Sequence, residues 1–293
     1  MIEKLKNYTE EVEAVVASYM PKVEGQQQTV LEAMDYSVNA GGKRLRPLIM
    51  RETYRLFGGT GKEIEPFMAA IEMIHTSSLV HDDLPCMDDD TLRRGKNTTW
   101  VEYGEDMAVL AGDGLMIYAF ETAAKALALT EHADRVGTCM GILAAKTGIY
   151  GMIGGQTVDV EMTGGTLTRE QLDFVYRLKT GALLEASMVI GAILGGASAE
   201  DVKTVENIAS KVGLAFQIQD DILDVTSTEE VLGKPIQSDE KNQKTTYVTL
   251  EGIEKAKADV AAVSTEAIEL LHTLNGKNDF LEDLIRGLMT REK

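Results

Sequence analysis

Apolar residues recur at steps of three and four along almost the whole chain. In 67–83 (FMAAIEMIHTSSLVHDD), Phe67, Ala70, Ile71, Ile74 and Ser78 share one face, and in 204–225 Val205, Ile208, Val212, Ala215 and Ile222 do the same. That spacing predicts α-helices with a buried stripe. Sustained period-two alternation of β-branched residues is scarce. The five prolines (Pro21, Pro47, Pro66, Pro85, Pro235) fall where helices start, stop or bend. The pairs Gly154-Gly155, Gly164-Gly165 and Gly195-Gly196 suit helix–helix turns and kinks. No Ser/Pro-rich linker, low-complexity tract or repeat divides the chain. The pattern predicts one all-α domain over 1–293, a bundle of long, partly buried helices.

Composition narrows the partners. The chain is 44% hydrophobic over 293 residues, enough for a sizeable core. It carries 29 Lys+Arg against 47 Asp+Glu, a net charge of −18. Such a chain repels nucleic acid and anionic lipid, so neither is expected as a partner. An anionic substrate meets the same repulsion and needs a local basic patch, a bridging metal, or both. Two cysteines, Cys86 and Cys139, make no disulfide framework, and a reducing cytoplasmic setting is the simpler expectation. The N-terminus mixes charge with apolar residues, unlike a signal peptide. No eighteen apolar residues run together, so no stable membrane insertion is expected.

Two aspartate clusters interrupt this pattern. The first is Asp82-Asp83-Leu-Pro-Cys-Met-Asp88-Asp89-Asp90; the second is Asp220-Asp221-Ile-Leu-Asp224. In the second, Gln217, Asp220, Asp221 and Asp224 stand at i, i+3, i+4 and i+7, a single helical stripe. Like charges one turn apart destabilise a helix by a few tenths of a kcal/mol per pair, so solvent must screen them or a cation must sit there. In the first, His75, Ser78 and Asp82 share a stripe. Pro85 then disfavours regular helix from Leu84, so the chain is expected to bulge and return Asp88, rather than Cys86, towards Asp82. Asp89 and Asp90 read as capping or surface residues. Hard carboxylate oxygens with open positions suit Mg²⁺. The Ca²⁺-loop spacing is missing, as are the close His/Cys spacings of zinc.

Basic groups stand out against the acidic background. Gly41-Gly42-Lys43-Arg44-Leu45-Arg46-Pro47 holds three cations, and Arg93-Arg94-Gly95-Lys96 follows the first aspartates. Lys179-Thr180-Gly181 lies within a long apolar stretch, and Lys234 and Lys244 flank the loop after the second cluster. Arg grips a phosphate bidentately and Lys supplies a compact charge. Lys43, Arg46 and His75 suit one diphosphate held without metal. Arg93, Lys179, Lys234 and the metals suit another. The bland alternatives are a surface helix end for Lys43–Arg46 and snorkelling for Lys179. Gln156 and Asp159, three apart on one face, either add acceptors near the metals, hold a lysine, or make a buried structural hydrogen bond.

DDLPCMDDDTLRRG and QDDILD resemble the two aspartate-rich motifs of trans-prenyl diphosphate synthases. GGKRLRP, EMIHTSSLVHDD, KTG at 179–181 and LGKPIQSDEKNQKTTY also match that family, in its order, over about residues 40 to 250. The resemblance implies an all-α bundle around a central cavity and a homodimer. It implies three Mg²⁺ ions, two on Asp82 and Asp88 and a third on Asp220 with Asp224 nearby. Arg93, Lys179 and Lys234 would then hold an allylic diphosphate. Gly42, Lys43, Arg46, His75 and Arg94 would hold isopentenyl diphosphate. Thr180 and Gln217 would lie near the allylic cation, with Lys244 a further substrate contact. The reaction implied is ionisation, condensation and elimination, giving farnesyl diphosphate. Family members making that C15 product often carry an aromatic five residues before the first aspartate. Ser77 stands there instead, which keeps a C20 geranylgeranyl product open. Met107, Leu110 or Met116 are the alternative floor of the cavity.

Overall fold

The computed structural model describes residues 2–226 and 245–289, and among these it is all-α apart from one tiny hairpin. The helices are α1 (Ile2–Tyr19), α2 (Gln28–Val38), α3 (Leu45–Leu56), α4 (Ile64–Asp82), α5 (Thr99–Tyr103), α6 (Glu105–Ala124), α7 (Ala133–Thr147) and α8 (Met152–Glu161). They continue with α9 (Arg169–Val175), α10 (Ala182–Gly195), α11 (Ala199–Thr226), α12 (Tyr247–Glu251), α13 (Ile253–Thr273) and α14 (Asp279–Met289). Strands β1 (Leu92–Arg93) and β2 (Lys96–Asn97) pair antiparallel. Four of the five prolines act as the pattern predicts, and Pro235 lies outside the described residues. Pro47 and Pro66 sit in the first turns of α3 and α4, where no intrahelical donor is lost, and Pro21 and Pro85 follow the ends of α1 and α4.

The chain divides into two compact units, Met1–Arg51 with Thr60–Met140, and Glu52–Gly59 with Gly141–Lys293. In the first, α4 is apolar nearly all round. Phe67, Ala69, Ala70, Ile71, Met73 and Ile74 are fully buried, and the helix packs along α6. Each such large side chain contributes about 1.5–3 kcal/mol by burial. In the second, α10 is the apolar centre and packs on α11, which in turn packs along α13. Helix α9 starts at a capping box between Thr168 and Gln171, and α12 at one between Thr246 and Thr249.

Uninterrupted apolar runs understate the hydropathy of three helical stretches. Glu105–Ala128, Ala133–Glu161 and Arg169–Gly195 are long and apolar enough to cross a membrane by length and composition alone, because small uncharged residues carry the average. In the last, 72% of the most apolar window is buried inside the protein.

Candidate active site

In the first unit, α4 ends at Asp82 and the chain bulges as Pro85 predicts. The Asp88 N–H donates to the Asp82 carbonyl at 2.8 Å, and the Met87 N–H to the Leu84 carbonyl at 2.8 Å. This six-residue return leaves Cys86 exposed and brings the backbone of Asp88 back to that of Asp82. Asp82 is half-buried; Asp88, Asp89 and Asp90 are exposed. The Asp90 carbonyl accepts from Thr98 Oγ1 (2.8 Å) and Trp100 Nε1 (2.9 Å), which fixes the start of the hairpin.

Asp83 is buried and turned away from that group. It receives Arg93 Nε at 2.6 Å and Arg93 Nη2 as well. The double contact outweighs burial at Arg93 and holds its guanidinium above its ordinary range, while at Asp83 burial outweighs the contact and keeps the carboxyl above its usual range. Sequence reading missed this partner. The signal was its place one residue round the helix from Asp82, on the protein side.

The basic loop is sorted by function. Arg44, with φ 49°, is buried and gives Nη1 to Glu72 at 2.7 Å and Nη2 to the Val38 carbonyl at 2.6 Å. It is a structural cation. Lys43 is exposed and Arg46 half-buried. The buried Arg46 Nε meets no acceptor. Burial and the neighbouring Arg94 pull Arg46 below the usual guanidinium range, against the pull of Glu72. Arg94 donates Nη1 to the Gly41 carbonyl. Gly42, at φ 137°, takes a backbone conformation that other residues rarely adopt, and a Cβ there would also press 2.7 Å against Arg94 Nη1. His75 faces this set. Burial first, then Arg46, Arg94, Arg44 and Arg93, push its pKa well below 6.5, so the ring is neutral. The Glu72 carboxylate pulls Arg46 and Arg94 the other way. The first unit thus holds Gly42, Arg46, His75 and Arg94 in one cationic cluster, in which the buried Arg46 Nε has no acceptor.

In the second unit, a cavity of about 200 Å³ is lined by Asp159, Lys179, Thr180, Gln217, Asp220, Asp221 and Asp224, over an apolar wall of Met162, Leu167, Leu172 and Val175. The five sequence-predicted residues of this unit that lie within the described residues, Lys179, Thr180, Gln217, Asp220 and Asp224, therefore meet on one cavity, the stripe of α11 supplying four of its polar groups. Lys179 Nζ donates to Asp159 Oδ2 at 2.5 Å, which settles the Asp159 alternatives in favour of holding a lysine.

Residues Tyr176–Gly181 form a π-helical turn between α9 and α10, which periodicity did not predict. Such turns carry an extra residue and mark functional sites. Here the turn lies hard against α8: a Cβ on Gly155 would sit 2.3 Å from the Lys179 backbone nitrogen. Asp221 is buried and occupied internally, accepting the Tyr176 hydroxyl and the Tyr247 N–H (2.6 Å) on Oδ2. Asp220 is half-buried and Asp224 buried on the cavity wall. Lys234 and Lys244 lie outside the described residues.

The polyprenyl synthetase family matches residues 27–281. The chain belongs to the polyprenyl synthetase family. It is 44% identical over 263 residues to the farnesyl diphosphate synthase of Geobacillus stearothermophilus, covering 88% of this chain and 86% of that one. It is 46% identical over 247 residues to the chloroplastic geranylgeranyl pyrophosphate synthase of Capsicum annuum, covering 84% and 67%. Among solved structures it is similar to an FPP/GFPP synthase of Zymomonas mobilis (TM-score 0.87, 32% identity, 98% of each chain). It is also similar to a geranyltransferase of Helicobacter pylori complexed with magnesium and isoprenyl diphosphate (TM-score 0.82, 34% identity, 98% and 95%). This polyprenyl synthetase thus has its family's all-α fold, and its second aspartate-rich motif and KTG segment fall on the aspartate-lined cavity, while most of LGKPIQSDEKNQKTTY lies outside the described residues.

Proposed function

We propose that the chain is a short-chain prenyltransferase that condenses isopentenyl diphosphate with dimethylallyl and geranyl diphosphates, giving farnesyl diphosphate and releasing diphosphate. The observation that carries this reading is the second-unit cavity, where Lys179, Thr180 and Gln217 share a wall with Asp220 and Asp224. Its relatives' names support the same chemistry, and those naming geranylgeranyl synthases, together with Ser77, favour a C20 product as the second reading.

The residues fit Mg²⁺ by the chemistry of their donors. Asp82, Asp88, Asp220 and Asp224 offer carboxylate oxygens alone, and among the described residues no three His, Cys, Asp or Glu side chains form a ready-made cage. Such a donor set suits an ion that keeps water and completes its shell with phosphate oxygens. We assign Asp82 and Asp88 to two ions and Asp220 with Asp224 to a third. When bound, the metal neutralises charge developing on the leaving diphosphate. Lys179 grips that diphosphate and holds its charge in place, a role the motif match also gives to Arg93 and Lys234. Thr180 and Gln217 turn oxygen atoms towards the allylic carbon, stabilising positive charge without a nucleophile. The neutral His75, Gly42, Lys43, Arg46 and Arg94 orient isopentenyl diphosphate through its phosphates; Lys244 is a further substrate contact, assigned to neither diphosphate. The apolar wall keeps water from the cation.

A homodimer accords with the exposed apolar Val109, Leu110 and Ile117 of α6, and a reducing cytoplasm with the two free thiols. The test is a product assay with Mg²⁺, labelled isopentenyl diphosphate and C5, C10 or C15 starters. A C15 end product is expected; a C20 product selects the second reading, and no condensation with any starter overturns both. Asp82→Ala and Asp220→Ala should each lower turnover by at least roughly 100-fold with helicity intact.

A further inference from the structure

The prenyl transfer reading leaves the middle aspartate of the second cluster without a task, and the structure supplies one. Asp221 Oδ2 accepts two donors from distant parts of the second unit, the Tyr176 hydroxyl and the Tyr247 N–H at 2.6 Å. The same Tyr247 N–H reaches the Tyr176 oxygen at 3.2 Å, closing a three-membered cluster. All three residues are buried: Tyr176 7%, Asp221 7% and Tyr247 2% exposed. Tyr247 is anchored from behind, its hydroxyl on Asp259 Oδ2 at 2.6 Å and the Arg169 guanidinium 4.3 Å over its ring. It is a fixed post. Tyr176, by contrast, is the first residue of the π-turn, three residues before Lys179.

We propose that Tyr176 is a positioning residue. Through its bond to Asp221 it sets the face that α11 turns to the cavity and the aim of the π-turn that presents Lys179 and Thr180. Asp221 is then the joint of the site, and Asp220 and Asp224 are the groups left to bind. The inference rests on the prenyl transfer reading. A buried carboxylate with two good donors is held in one orientation, and losing one donor lets it and its helix shift. A shift of that kind acts on positions in the cavity, where small misplacements cost rate.

The experiment compares wild-type protein with Tyr176→Phe in the presence of Mg²⁺ and both diphosphates. The variant loses only the hydroxyl. The expected result is a kcat lower by on the order of 10-fold and a raised KM for the allylic substrate. KM for isopentenyl diphosphate should not change, because the groups assigned to it lie in the first unit. Ser187→Ala, which removes a buried hydroxyl bond to the Leu183 carbonyl in the same unit, should leave all three constants unaltered. Asp221→Asn keeps an oxygen that accepts both donors and should retain more activity than Asp221→Ala. Wild-type constants in Tyr176→Phe, equal changes in Ser187→Ala, or equal losses in the two Asp221 variants would each overturn the inference. A wild-type protein inactive with every starter would instead strike the functional reading beneath it.

Discussion

Glu72→Gln removes a counter-ion of the first unit's cationic cluster while keeping the side chain's shape. The side chains of Glu72 and Arg44 are each only 3% exposed and meet at 2.7 Å. At that distance and an effective dielectric of about 20, their attraction is about 6 kcal/mol. Desolvation offsets part of it, and breaking one partner of a buried pair costs about 3–5 kcal/mol in practice. The loss should sit at that level, because Arg46 and Arg94 draw on the same carboxylate. For 293 residues the unfolding entropy is about 0.6 kcal/mol/K, so Tm should fall by about 5–8 °C. Thermal unfolding followed by circular dichroism reads this directly. Inorganic pyrophosphate should raise Tm more in the variant than in the wild type, since it brings negative charge to guanidinium groups that have lost theirs. A loss below about 1 kcal/mol, or an equal response to pyrophosphate, would refute the reasoning.

His75 should make stability pH-dependent: the folded chain keeps it neutral well below 6.5, whereas the unfolded chain takes up a proton near that value. The unfolded state then binds more protons, so stability is lost as pH falls below about 6.5, and His75→Asn should flatten that slope in denaturant titrations; an identical slope counts against it. Gly155→Ala would place a Cβ 2.3 Å from the Lys179 nitrogen and 2.8 Å from the Leu178 carbonyl carbon. Backbone cannot yield as a side chain does, so a cost of about 1–3 kcal/mol and a lower kcat are expected, and a normal kcat would show that Lys179 tolerates the shift. Ser77 is fully buried with its hydroxyl on the Gly112 carbonyl at 2.8 Å. Ser77→Tyr should shorten the product read by chromatography, and an unchanged length puts the floor elsewhere.

What the sequence made legible was whatever a single helix decides. The stripe of Gln217, Asp220 and Asp224 needs only a period of 3.6, and the return of Asp88 to Asp82 follows from one proline. The rest depends on partners far along the chain. Arg44 and Arg46 look alike as residues, and it is partners elsewhere in the chain, Glu72 28 positions on among them, that make the first structural. Asp221 differs from Asp220 because a tyrosine 45 residues away reaches it. The π-turn arises where Gly155 lets α8 come up against Lys179, an approach that no local periodicity encodes.

The π-turn also turns a count of residues into a constraint on how this chain can vary. It holds one residue more than an α-helical turn would. Deleting a single position within 176–181 would relax it to ordinary helix and rotate everything on one side by about 100°. Either Lys179 would swing off Asp159, or the wholly apolar face of α10 that buries Leu183, Ala186 and Ile190 would turn out of register. Substitutions here are graded, but length is all or nothing. Among working variants of this protein, this segment should tolerate altered letters and refuse altered spacing.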